Sequence, residues 1–297
     1  MADLLPANAP EAPRPPRPPR PGPRDGFLRE VRRALRAYVL LAWTWCRAVA
    51  QYPMALSLLT FGVALSSLAE MGAVAVVFGH AGTLAGFSVY EGLLVYALAA
   101  TAFGTADFLM GSVERLGEHI RSGSFDTMLV RPVPPLVQLA TDQFSPRRLG
   151  KAVPALIVLV FVLVVCDVDW TAGRVLMLPV LVVSGVVICC SVWLLGGCLQ
   201  FFVLDARQAA NSLTYGGQAL TEYPVAIYGR SLVRAVTFVV PLAFVSWQPA
   251  LYLLDRPDPT GLPGVLRFLG PLVAVVLALA AALVWRLGLR HYRSTGS

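Results

Sequence analysis

One lysine, three histidines and five cysteines are all that this 297-residue chain offers of the side chains most often recruited for covalent, metal or phosphate chemistry. His80, His119 and His291 sit on separate polar segments and share no acidic cluster, which argues against an interfacial enzyme centre. Cys46, Cys166, Cys189, Cys190 and Cys198 are odd in number, lack metal-ligand spacing and lie in or beside apolar runs. They read as small buried hydrophobes, and no metal site is expected. Gly150-Lys151 has the ending of a phosphate-binding loop, but Ala152 stands where Ser or Thr is needed and Ser145 where the first glycine is needed. Charge is scarce too: Asp, Glu, Lys and Arg make up 14% of the chain, against 57% hydrophobic residues and a mean hydropathy of +0.67. Such a composition lies outside the range of soluble domains, so the solvent for most of this chain is lipid.

What is present in quantity is long apolar sequence. A helix crosses the hydrocarbon core with about 20 apolar residues. Such runs occur at 53–78, 88–112, 175–203, 232–254 and 269–287, and a shorter one at 152–166 is extended by Arg147, Arg148 and Lys151, whose stems reach back to the interface. The expected fold is therefore an all-α integral membrane protein with six transmembrane helices. An even number puts both termini on one side. Of the 24 basic residues, 21 then fall on that side, with only Arg174, Arg256 and Arg267 on the other. Positive charge accumulates on cytoplasmic flanks, so the N and C termini and the loop at 114–135 are expected to be cytoplasmic. The net charge of +7 is thus a topology signal, and no motif points to a nucleic-acid partner.

Four regions follow. Residues 1–26 form a Pro/Arg-rich tail, with PRPPRPPRPGPR unable to bury enough apolar surface to fold and no apolar cleavage signal beside it. Residues 27–51 alternate at helical period, with Leu28, Val31, Leu35, Val39 and Ala42 on one face and Arg29, Arg32, Arg33, Arg36 and Arg47 on another. With Trp43, Trp45 and Tyr52 nearby, this helix is expected to lie in the plane of the headgroups, in contact with lipid. Residues 52–290 carry the six spans, and 291–297 a cytoplasmic tail.

The loop at 114–135 is the chain's main polar interruption. It has a short helical stretch, then Phe125, Met128 and Leu129 beside charges, then Pro132, Pro134 and Pro135, which stop the helix and return the chain to the membrane. Apolar anchors within a polar rim read as a protein-docking surface. Inside the spans, ionisable residues default to functional candidates. Glu70 and Glu91 are expected near the outer leaflet, flanking an outer gate, and Asp107 near the inner end, paired with Arg234. Pro241 and Pro249 should kink the fifth span.

The stretch IRSGSFDTMLVRPVPPLVQLATDQF at 120–144 resembles the cytoplasmic segment of type-2 ABC transporter permeases, and EYPVAIYGRSLVRAVTFVVPLAFVSWQPALYLL at 222–254 is similar to the fifth span of a poorly characterised bacterial branch of them. The resemblance covers about residues 27–290. It implies that 27–51 is a connecting helix and that the loop holds a coupling helix seated in an ATP-binding subunit, through Gly123, Ser124, Phe125, Asp126, Leu129, Arg131 and Pro132. It further implies a pore at a dimer of permeases, identical or homologous, lined mainly by the first, second and fifth spans. Tyr223 and Pro224 belong to the YP pattern of the fifth, and re-entrant helices are implied over 247–263. ATP and Mg would be bound by two copies of the partner ATPase, with no cofactor and no catalytic residue in this chain. Export is the expected direction, with a lipid-like or amphipathic cargo. Arginine outnumbers lysine 23 to 1, which fits a GC-rich bacterial source and hence a bacterial plasma membrane. An ion-driven secondary transporter is the competing reading, and an integral membrane lipid-modifying enzyme a weaker one.

Overall fold

The computed structural model describes residues 23–203 and 206–293, and the regular elements among these are all helical, with no β-strand. The tail expected at 1–26 falls almost wholly outside the described residues. In chain order the helices are α1 (Pro23–Val49), α2 (Pro53–Ala81), α3 (Val89–Met110), α4 (Leu116–Arg121), α5 (Ser124–Val130), α6 (Pro135–Ala140), α7 (Leu149–Val165), α8 (Ala172–Leu199), α9 (Arg207–Thr221), α10 (Arg230–Arg234), α11 (Trp247–Leu253) and α12 (Gly270–His291). Five of them, α2, α3 with its extension to Arg121, α7, α8 and α12, are long and apolar enough to cross a membrane.

Local sequence sets the ends. Pro53 opens α2, where its missing N–H has no intrahelical use, and Gly82 ends it at φ +70°. Ser88 and Glu91 form a reciprocal capping box at the start of α3: the Glu91 amide donates to Ser88 Oγ (3.4 Å) and the Ser88 amide to Glu91 Oε2 (2.7 Å). Thr171 caps α8 by accepting from the Arg174 amide at 3.3 Å.

The core sits around α3. Its apolar window is 72% buried against 17% for α2 and 22% for α12, so α3 is the central span and those two are the outer staves. Side chains of α2, α7 and α12 such as Phe61, Phe161 and Leu279 remain exposed, a face suited only to lipid. Close backbone approach at α3 is allowed by small residues: Gly185 of α8 lies against Ala102 and the Val245 carbonyl, where a Cβ would meet atoms at 3.3 Å.

The fifth span, expected at 232–254 with kinks at Pro241 and Pro249, is broken near Pro241 into two helical pieces. Arg230–Val239 and Leu242–Leu253 are bent by 78° at a break, with a π-helical turn over Ala235–Val239 and Val240 at φ −118°, ψ 91°. Pro241 has no N–H to continue the ladder, and the chain turns sharply there. Pro249 introduces no kink, because it occupies the first turn of α11, where its missing N–H is free of cost. The segment at 247–263, where re-entrant helices are expected, holds the short helix α11 and a turn with Gly261 at φ +78°, and a 3-10 turn over Gly264–Phe268 follows.

The helix running from one end of the bundle toward this break is α9. At its start Arg207 pairs with Glu118 (2.5 Å), and at its finish the Thr221 carbonyl accepts from Ser246 Oγ (2.9 Å), just past the break. Its 15 residues span about 22 Å at 1.5 Å per residue. This helix is too polar to pass as a membrane span by hydropathy, which is why the sequence reading overlooked it.

Candidate functional site

Beyond the end of α3 the chain builds a compact polar projection from Gly111 to Arg148. Arg115 bridges Glu118 and Asp142, both at 3.0 Å; His119 contacts Asp142 (3.1 Å) and Ser124 Oγ (2.8 Å). Gln200, at the end of α8, accepts from the Gly117 amide (2.8 Å) and donates to the Glu114 carbonyl (3.0 Å). Gln138 donates to the carbonyls of Met128 and Val133, both at 2.8 Å, closing the turn after α5. The projection is thus fixed to the spans by buried polar contacts.

Within it, α5 starts at Gly123, whose φ of +70° lies in the left-handed region that glycine enters without strain. Here one expectation is corrected. Phe125 is fully buried and Met128 nearly so, and neither is an exposed anchor. Phe125 stacks edge-on with Tyr292 (5.0 Å between centroids) and Phe201 (5.7 Å), and Phe201 with Trp285 (5.4 Å). Asp126 accepts from the Tyr292 hydroxyl at 2.9 Å. Desolvation, and then the Asp126 carboxyl, push the Tyr292 phenol up to about 12, so the hydroxyl keeps its proton. The inner face of α5 therefore ties the projection to α12. What remains open is its far edge: Leu129 and Val130, 41% and 85% exposed, followed by exposed Arg131 and Pro132. Ser124 is half-buried and held by His119.

The polar stripe of α9 is the second feature. Gln208, Asn211, Tyr215, Gln218 and Glu222 recur at spacings of three and four, so they share one face. Tyr215 donates to Glu114 (3.1 Å); Lys151, the chain's single lysine, donates to Gln218 Oε1 (2.9 Å), and Gln218 Nε2 to Glu222 (2.6 Å). Glu70 of α2 lies close enough for its charge to act on Glu222. Beside this stripe α9 exposes Ala209, Ser212, Gly216 and Ala219. A polar and small-residue face at membrane depth calls for water or protein as its neighbour.

The remaining candidates fall in different places. Asp107 pairs with Arg148 (3.5 Å), not Arg234; Arg148 also donates to the Asp107 carbonyl and Ser112 Oγ, both at 3.2 Å. Arg230 and Arg234, expected at the inner end, border the turn Pro259–Leu262 at the opposite end. Among the described residues the basic count is then 16 against 5, and it keeps its sign. Glu91 and Glu70 do not come together: Glu91 is used in its capping box and in an ion pair with Arg256 (3.0 Å). Tyr223 is half-buried and Pro224 buried against the core. On α1, Arg29, Arg32, Arg33 and Arg36 are exposed, as are Val31, Leu35 and Val39, while Tyr38 anchors the helix by donating to the Leu109 carbonyl (2.9 Å). Both open faces suit an interfacial helix. No group of His, Cys, Asp or Glu fit to hold a metal occurs among the described residues.

A family model described as "ABC-2 family transporter protein" matches residues 64–296, well over half of the chain. The chain belongs to the ABC-2 family. This ABC-2 chain is a type-2 ABC transporter permease and a multi-pass membrane protein, a transport component that associates with an ABC ATP-binding subunit. No curated protein and no solved structure matches it.

Proposed function

We propose that this permease works as an exporter of a lipid-like or amphipathic molecule, in a dimer of permeases driven by two ATP-binding subunits in a bacterial plasma membrane. The observation that carries the reading is the two-sided α5: its inner face is tied through Phe125 and Asp126 to Phe201 and Tyr292, just past the ends of α8 and α12, while Leu129, Val130, Arg131 and Pro132 stand free. An element fixed on one side and open on the other can transmit a push from a bound ATPase into the spans. In this reading α5 is the coupling helix, α1 the connecting helix, and the end bearing α5 and both termini is cytoplasmic.

The exposed small and polar face of α9 then lines the path or the permease interface, in place of the apolar run at 232–254. An apolar groove of about 420 Å³ between α9 and the broken span, lined by Gly216, Leu220, Leu232, Val236, Val239 and Leu242, supports a cargo with an apolar part. The test is affinity purification of tagged protein from its native membrane. Wild type should bring down an ATP-binding subunit with ATPase activity, and Leu129→Asp/Val130→Asp should lose it while keeping its monodisperse elution. An ATPase retained at wild-type level by the double variant would refute α5 as the docking element.

A further inference from the structure

Five arginines gather at the end of the bundle opposite the projection, and they divide into two kinds. Arg174 pairs with Asp255 (3.3 Å), Arg267 with Asp255 (3.9 Å), and Arg256 with Glu91 while lying 5.0 Å above the Phe87 ring. Arg230 and Arg234 have no carboxylate: among the described residues neither makes an ion pair or a side-chain hydrogen bond. They lie one helical turn apart on α10, so both guanidinium groups face the same way, and both line a cavity of about 480 Å³. Its other walls include Ala226, Tyr228, Thr260 and Gly261.

The nearest loop carboxylate, Asp258, does not line the cavity. It is occupied by Gln248 Nε2 (3.1 Å), the Thr260 amide (2.9 Å) and the Thr260 hydroxyl (2.6 Å). The cavity therefore holds two positive charges with nothing to neutralise them. Guanidinium pairs bind phosphate oxygens through paired N–H donors, and the Tyr228 hydroxyl adds a further donor. Two arginines on the side where basic residues are few also run against the charge bias that orients the chain.

We propose that Arg230 and Arg234, with Tyr228, form a binding site for a phosphate-type anion, supplied either by the head group of an anionic phospholipid or as a free ion. The site stands on the cavity and its charges, so it survives or fails independently of which ATPase drives the permease.

The test uses the full chain in nanodiscs of phosphatidylcholine with and without phosphatidylglycerol, and in detergent with inorganic phosphate. Lipid adducts are read by native mass spectrometry and stability by thermal shift, for wild type, Arg230→Gln/Arg234→Gln and the charge-keeping Arg230→Lys/Arg234→Lys. Retention of phosphatidylglycerol that falls at least tenfold in the Gln pair, with partial recovery in the Lys pair, supports the site and identifies a head group. Saturable stabilisation by inorganic phosphate, lost in the Gln pair without any lipid preference, supports the site and identifies a free anion. The proposal is overturned if neither probe binds, or if the Gln pair, with an unchanged melting temperature in the absence of ligand, binds both as wild type does.

Discussion

Asp107 shows how a single residue's role depends on neighbours distant in sequence. It sits near the end of α3, its side chain 21% exposed, with Arg148 (17%) as its counter-charge. Removing one partner of such a pair strands the other, at about 3 kcal/mol when the site is well buried. Arg148→Gln should therefore lower the apparent melting temperature in detergent, and Asp107→Asn added to it should recover part of the loss. A double variant no more stable than the single one would contradict the pairing. The Asp107 partner was not legible in the sequence because Arg234 and Arg148 both fit a rule of opposite charge near a helix end. Only the path of the broken span, which carries Arg234 to the other end, decides between them.

At the scale of the element, α5 predicts two opposite phenotypes from neighbouring residues. Phe125→Ala empties a fully buried aromatic site and should cost about 3–5 kcal/mol, visible as reduced thermal stability. Val130→Asp, on an 85% exposed position, should leave stability within about 0.5 kcal/mol while acting on the partner. The Tyr292 hydroxyl gives a pH prediction with a definite sign. Its phenol is raised from the usual 10 to about 12, so the bond to Asp126 is intact below 10 and is lost as pH rises toward 12. Ultraviolet titration of wild type against the Tyr292→Phe variant should show this residue still mostly protonated at about pH 10–11, where an ordinary phenol is half ionised or more.

The loop, its helix and its proline stop were legible in residues 114–135, because turn chemistry is local. Which face of α5 is buried was not, since that depends on Phe201, Trp285 and Tyr292 from far along the chain. The helix α9 was missed because hydropathy rewards apolar runs. Its signal was the polar period Gln208, Asn211, Tyr215, Gln218, Glu222, which only makes sense on a helix with one polar stripe.

For the whole molecule, composition alone set the solvent and class, and five of the six expected spans appear as continuous helices. The remaining one, expected at 232–254, is a broken pair preceded by the polar helix α9, and irregular backbone at membrane depth needs protein or water as its neighbour. The proposed orientation, with α5 on the cytoplasmic face and the turn at Thr260 on the other, has its own test. A cysteine placed at Arg131 and one placed at Thr260, in a background without native cysteines, should react with an impermeant maleimide from opposite faces of the membrane, Thr260→Cys in intact cells and Arg131→Cys only after lysis. Labelling of both in intact cells would contradict the arrangement.

The most direct test of the central claim, that α5 docks a separate ATPase by its open edge, is site-specific photo-crosslinking in native membranes from a probe at Val130, with a probe at Phe125 as comparison. The account predicts a crosslink from Val130 to an ATP-binding subunit and only intramolecular products from Phe125. Silence at Val130, or an equal yield of the ATPase adduct from Phe125, would contradict it.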